Sequence, residues 1–238
     1  GARWFRELAR VPQGTPVPPE GVVLVVLTTT EDYVRVIDAE PGLSPAERAF
    51  ARGLSAMPIP PERDKPWVVV ILRPDGATAA DACLHYAVHL AAKSWSKIES
   101  TEAWLYEGLA AYAGIRLFET QGSWCVRLEA TSAKAVEPVR PDPVEWASAA
   151  ARLAFDRDDV PARALFGATL NSMDGSMVIK SWSILRWMIE EHPAEARAFL
   201  EEKRAGRSSA EALHRATGLL PEDLDAAWRL HLAAIEGE

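Results

Sequence analysis

Asp81-Ala82-Cys83-Leu84-His85-Tyr86-Ala87-Val88-His89 is the stretch on which the reading of this chain turns. It lies in an alanine-rich segment, residues 77 to 93, and alanine is the strongest helix former. On a helix His85 and His89 stand one turn apart on the same face, with Cβ atoms about 5–6 Å apart. Two imidazoles so placed can hold one metal ion. The pair alone also fits two histidines on an ordinary core-facing or surface helix.

A second stretch reads Trp104-Leu105-Tyr106-Glu107-Gly108-Leu109-Ala110-Ala111-Tyr112. It falls in a second expected helix, residues 101 to 119, which opens at Ser100-Thr101 and breaks at Gln121-Gly122-Ser123. Glu107 comes eighteen positions after His89, so it can supply a carboxylate from the next helix. Gly108, Ala110, Ala111 and Gly114 on this helix are small, as are Ala82, Ala87, Ala91 and Ala92 on the first. Small residues let two helices approach closely, as a shared ion requires. The plainer reading is an alanine-rich helix pair with Glu107 at its surface.

These two stretches together resemble the gluzincin zinc metallopeptidases, in particular the peptidase MA-like group. That family carries HExxH on one helix and a third ligand in a Trp-Leu-x-Glu-Gly-Leu-Ala-x-Tyr box on the next. The second box is matched at Trp104, Leu105, Glu107, Gly108, Leu109, Ala110 and Tyr112. The resemblance implies zinc held by His85, His89 and Glu107. It also implies an α+β, zincin-like fold. The expected parts are an N-terminal strand-containing lobe over residues 1–76, metal-site helices over 77–120, and a helical C-terminal lobe over 121–238. A helix like Ser181-Trp182-Ser183-Ile184-Leu185 and a late tryptophan like Trp228 extend the pattern to roughly residues 20–235.

The first box departs from the family at its second position. Tyr86 stands where the resemblance calls for the glutamate that takes a proton from the metal-bound water. A phenol with a pKa near 10 is protonated at neutral pH and is a poor base. Losing a general base costs about 10²–10⁴-fold in rate. A coordinated metal can also lower a phenol's pKa, which would make Tyr86 a ligand instead. The family's oxyanion-stabilising tyrosine has no counterpart in Gly175-Ser176-Met177-Val178-Ile179-Lys180. Asp81, one turn before His85, reads either as a support or additional ligand for the metal or as a helix-capping residue with Thr78. Glu99 and Glu102 read as substitute bases or as solvated loop and first-turn residues.

Three functional readings follow. The first is a gluzincin-fold protein that is catalytically inactive or impaired and keeps metal binding, or a peptide- or protein-binding cleft. The second is an active zinc peptidase with an unusual base. The third is a metal-free structural or interaction domain.

The rest of the chain narrows the classes. Its 238 residues suit one large domain or one with two lobes. The net charge of -8 leaves no basic stripe of the kind nucleic acid requires. The longest apolar run, Val22 to Leu27, is too short to span a bilayer, and no secretory leader pattern is legible. The resemblance is to proteins often exported or envelope-associated, which leaves the compartment open. Cys83 and Cys125 read as a disulfide in an exported protein or as two buried thiols.

Val22–Thr28 and Lys65–Arg73 read as buried strands, with Thr30 as the N-cap of a helix through Ile37 and another helix opening at Ser44-Pro45. Trp124–Ala130 reads as a further strand and Pro138–Pro143 as a linker. Helices are expected over Met177–Glu191, Pro193–Arg204, Ser208–Thr217 and Pro221–Ala234. Most of the nine tryptophans read as core anchors.

Overall fold

The computed structural model describes residues 21–54, 56–59, 66–73, 79–96, 102–118, 143–155 and 159–236. Cys125, Glu99, Thr78, the expected strand at 124–130 and most of the linker before Pro143 lie outside the described residues.

The elements are β1 (Val22–Leu27), α1 (Thr30–Ala39), α2 (Pro45–Ala51), β2 (Ala56–Ile59), β3 (Trp67–Leu72), α3 (Ala79–Ser96) and α4 (Ala103–Phe118). They continue as α5 (Pro143–Ala154), α6 (Ala162–Phe166), α7 (Gly175–Glu191), α8 (Pro193–Arg204), α9 (Ser209–Thr217) and α10 (Pro221–Glu236). Among the described residues this is an α+β protein, mostly helical, with one small mixed sheet.

The sheet has the order β1-β3-β2. β3 pairs with β1 in parallel, Val69 opposite Leu24, and with β2 antiparallel, Val69 opposite Pro58. The unbroken apolar run of β3 is explained by cover on both faces. Val69 and Ile71 pack toward Ala82, Tyr86 and Leu90 of α3. Val70, on the opposite face, packs with Tyr33 and Ile37 of α1, Leu43, and Ala51 of α2. β2 was not anticipated from the sequence, because Pro58 argues against a strand. It is an edge strand, where a missing N–H can be tolerated.

Helix ends follow local chemistry. Thr29, one residue earlier than expected, caps α1 by accepting from the Asp32 N–H. Ser44 and Glu47 form a capping box on α2, and Ser208 and Glu211 form another on α9. Gly218, with φ of 77°, ends α9 in the left-handed conformation that glycine adopts without steric cost.

α3 lies between two cores. Ala82, Tyr86 and Leu90 face the sheet. Leu84, Val88, Ala91 and Ala92 join the large helical core with α4. α4 is buried on every side from Ala103 through Gly114, and packs between α3 and α7. Its start is fixed by a buried knot. Glu102 Oε1 accepts from Lys203 Nζ of α8, from the Ser209 N–H (3.0 Å) and from Ser209 Oγ (2.8 Å). Trp104 Nε1 donates to the same Ser209 Oγ (3.1 Å), and the Ala103 N–H donates to the Ala168 carbonyl (3.0 Å). Glu102 is therefore neither solvated nor placed as a free base: its carboxylate holds α4 to α8 and α9.

Lower in the helical part, Lys180 of α7 is almost wholly buried. Its ammonium donates to Asp159 Oδ2 (2.6 Å) and to the Val160 carbonyl (2.7 Å), and pairs with Asp225 Oδ1 of α10 (2.8 Å). Arg229 adds a second cation on Asp159. Three segments distant in sequence are joined there. Trp104, Trp146, Trp182 and Trp228 are core residues, as expected of the tryptophans.

Candidate metal centre

His85 and His89 sit on α3 at the seam between its sheet-facing and α4-facing arcs. At 100° per residue, both fall between the Ala82/Tyr86/Leu90 side and the Leu84/Val88/Ala91 side. Glu107 reaches the same seam from α4. His85 Nε2 lies 3.6 Å from Glu107 Oε2, and His89 Nε2 lies 3.3 Å from Glu107 Oε1. The two imidazole rings are 4.2 Å apart between centroids. One ligand atom from each residue lies within 4.8 Å of the other two.

The donor set could hold a metal ion. Bonds of about 2.0–2.1 Å in a tetrahedron give ligand–ligand edges of about 3.3–3.4 Å. The His89–Glu107 separation of 3.3 Å matches that length, and the His85–Glu107 separation of 3.6 Å, to the other carboxylate oxygen, is slightly longer. Two imidazoles and one carboxylate are hard-to-borderline donors that suit zinc.

The electrostatics favour the neutral imidazoles that a metal requires. Burial, with the Arg73 guanidinium adding to it, pushes the pKa of His85 down from 6.5 to about 3. His89 is held well below its ordinary value by burial, then by His85 and by the Lys93 ammonium. All three ligand candidates are buried: His85 is 2% exposed, His89 6% and Glu107 1%.

Tyr86 adjoins the centre but is seated in the sheet-facing core. Its ring is 5.4 Å from that of His85 and 5.8 Å from that of His89, edge-on to both. Its apolar neighbours include Ala56, Val69 and Ile71. The position after the first histidine thus contributes packing between α3 and the sheet. Asp81 is buried on α3 one turn before His85, and is not one of the three residues that converge.

Gly108 has a different use from the one its sequence context indicates. A Cβ there would meet Leu185 Cδ1 at 2.7 Å and the Ser181 carbonyl carbon at 2.9 Å, both on α7. Its small size brings α4 against α7.

Two neighbours of the centre went unnoticed in the sequence. The Tyr106 ring stands 4.8 Å from the His89 ring, edge to face, and Lys93 Nζ lies 4.5 Å over the Tyr106 ring. Lys93 continues the four-residue spacing of Asp81, His85 and His89, and that spacing was the available signal.

No protein-family model matches this chain, and neither the curated proteins nor the solved structures contain a match to it.

Proposed function

We propose that this protein binds a single zinc ion through His85, His89 and Glu107 in a gluzincin-like arrangement, and that it hydrolyses peptides poorly or not at all. The observation that carries the first half is the convergence of two buried imidazoles and one buried carboxylate, with one ligand atom from each within 4.8 Å of the others. Zinc, when bound, polarises an oxygen ligand and supplies Lewis acidity.

The second half rests on what surrounds the site. Peptide hydrolysis needs a carboxylate within about 2.6–3.2 Å of the water to be activated. The first histidine is followed by Tyr86, whose ring fills apolar space under the sheet. Glu102, the described carboxylate nearest in sequence to the Glu107 box, is committed to Lys203 and Ser209. Peptide or protein binding without turnover is the role we assign to such a site.

The test is zinc-loaded wild-type protein incubated with casein and with a peptide library. We expect zinc to be retained while turnover stays at background. Robust zinc-dependent cleavage would refute the impaired-enzyme half.

A further inference from the structure

A histidine ring turns about a torsion between a tetrahedral and a planar carbon, and such torsions are broad and roughly two-fold. The side chain by itself therefore does not decide which ring atom faces a neighbour. Both imidazoles here present Nε2 to one carboxylate, His85 at 3.6 Å from Glu107 Oε2 and His89 at 3.3 Å from Glu107 Oε1. What packs against the two rings bears directly on how that orientation is kept.

Two tyrosine rings stand against the pair. The Tyr86 ring meets His85 at 5.4 Å between centroids and 78° between planes, and His89 at 5.8 Å and 73°. The Tyr106 ring meets His89 at 4.8 Å and 69°. All three are edge-to-face contacts, at centroid separations that aromatic pairs favour. The two tyrosines are anchored in different cores. Tyr86 packs with Val69 and Ile71 of the sheet, and Tyr106 belongs to the helical cluster with Val88 and Leu109. Both are buried, so neither ring can swing aside without opening a packed core. The His85 ring, tilted by 49° at 4.2 Å, closes a further side of His89. Tyr106 and Glu107 are adjacent on α4, so one short piece of helix brings His89 both a wall and a carboxylate. Core filling alone asks only for volume, which leucine or methionine supplies on a helix. A ring adds a directional contact.

We infer that Tyr86 and Tyr106 are positioning residues of the metal centre, whose rings hold the two imidazoles with Nε2 toward Glu107; this rests on the metal-site reading above. They act as rings, and neither hydroxyl is a ligand or a base. Ligands already held in place lose little freedom when an ion binds, and the affinity gains by that amount. The residue after the first histidine then serves the centre without taking part in proton transfer.

The test titrates the full chain with cobalt(II), whose visible bands report both affinity and donor set. Tyr86→Phe and Tyr106→Phe keep the rings and should bind cobalt as wild type does, with the same bands. Tyr106→Leu and Tyr86→Leu should each weaken binding about tenfold, the lower end of what loss of a ligand-orienting partner costs. Thermal unfolding identifies the variants that remain folded. Trp228→Leu, a core change on α10 away from the seam, should lower the melting temperature and leave the cobalt affinity unchanged. Nitrogen NMR of metal-free wild-type protein, labelled at histidine, supplies a readout that needs no variant to fold. It should show one set of ring signals for each of His85 and His89. Two sets for either ring would mean that the walls do not hold it, and would overturn the inference. So would folded leucine variants that bind cobalt as tightly as wild type, phenylalanine variants that lose as much as leucine variants, or an equal loss in Trp228→Leu. Each of these leaves the metal site standing. Absence of cobalt bands in wild-type protein would overturn both readings.

Discussion

Tyr86 was singled out in the sequence as a missing base, and the folded chain gives it a positive duty. Its ring joins α3 to the sheet through Ala56, Val69 and Ile71. Placing there the glutamate that the gluzincin resemblance calls for therefore has a structural cost. Tyr86→Glu removes an aromatic anchor and buries a carboxyl in apolar surroundings, a loss of about 3 kcal/mol. In a chain of this size that lowers the melting temperature by roughly 6–12 °C, measurable by calorimetry. Peptide turnover by this variant should stay at or close to the wild-type background, because the new carboxyl is drawn toward its neutral form by burial. A variant as stable as wild type and clearly active would contradict the placement of Tyr86. The histidines give a second prediction. His85 titrates near 6.5 in the unfolded chain and at about 3 in the folded one. The unfolded state thus binds more protons below 6.5, so stability falls as the pH is lowered from there toward 3. Metal-free protein should show a melting temperature that declines over that window, and His85→Phe should flatten the decline. An identical slope in that variant would remove His85 as the cause.

At the scale of elements, the decisive piece is α4, a helix buried around its whole circumference. Helices of this kind carry little amphipathic pattern, so its neighbours cannot be read from periodicity. The sequence showed that α3 and α4 exist, to within a few residues at each end, and that His85, His89 and Glu107 belong together. It did not show which side of α4 each small residue serves. Gly108 makes the point: it lies beside Glu107 in the chain but opens room toward α7. Gly108→Ala gains about 1 kcal/mol of helix propensity, but overpacking costs about 1–3 kcal/mol. One of the atoms met is Ser181 backbone, which cannot swing aside as a side chain can, so the cost prevails. We expect a lower melting temperature and weaker zinc retention in this variant, since α4 must shift to accommodate the methyl. Unchanged stability and zinc content would mean that α4 and α7 are not in such close contact. Glu102 was equally illegible for a related reason. Its partners Lys203 and Ser209 lie about a hundred residues away in the chain, and no local pattern announces a contact of that separation.

Across the whole molecule, the sheet, α3, α4 and the later helices form successive layers, with the proposed centre at the seam of α3 and α4. The chain is held around that seam by polar knots remote from it. The Glu102 knot fixes the start of α4, and the Lys180 knot joins α7 and α10 to the segment before α6. Breaking one partner of such a buried ion pair costs about 3–5 kcal/mol, so these residues position the site without touching it. The strands β1 and β3 and most helix starts were legible locally, because they follow from apolar runs and from serine, threonine and proline at helix starts, whereas the pairing of the strands was not. The knots were not, because lysine and aspartate are ordinarily surface residues and only the fold reveals them as buried. The claim on which the functional reading stands is that these layers bring two histidines and one glutamate to a single ion. Its most direct test is elemental analysis of purified protein after dialysis against zinc and then against metal-free buffer. Wild-type protein should retain one zinc per chain, and His89→Ala and Glu107→Ala should each retain far less while remaining folded. Wild-type protein that keeps no zinc, or variants that keep as much as wild type, would contradict the account.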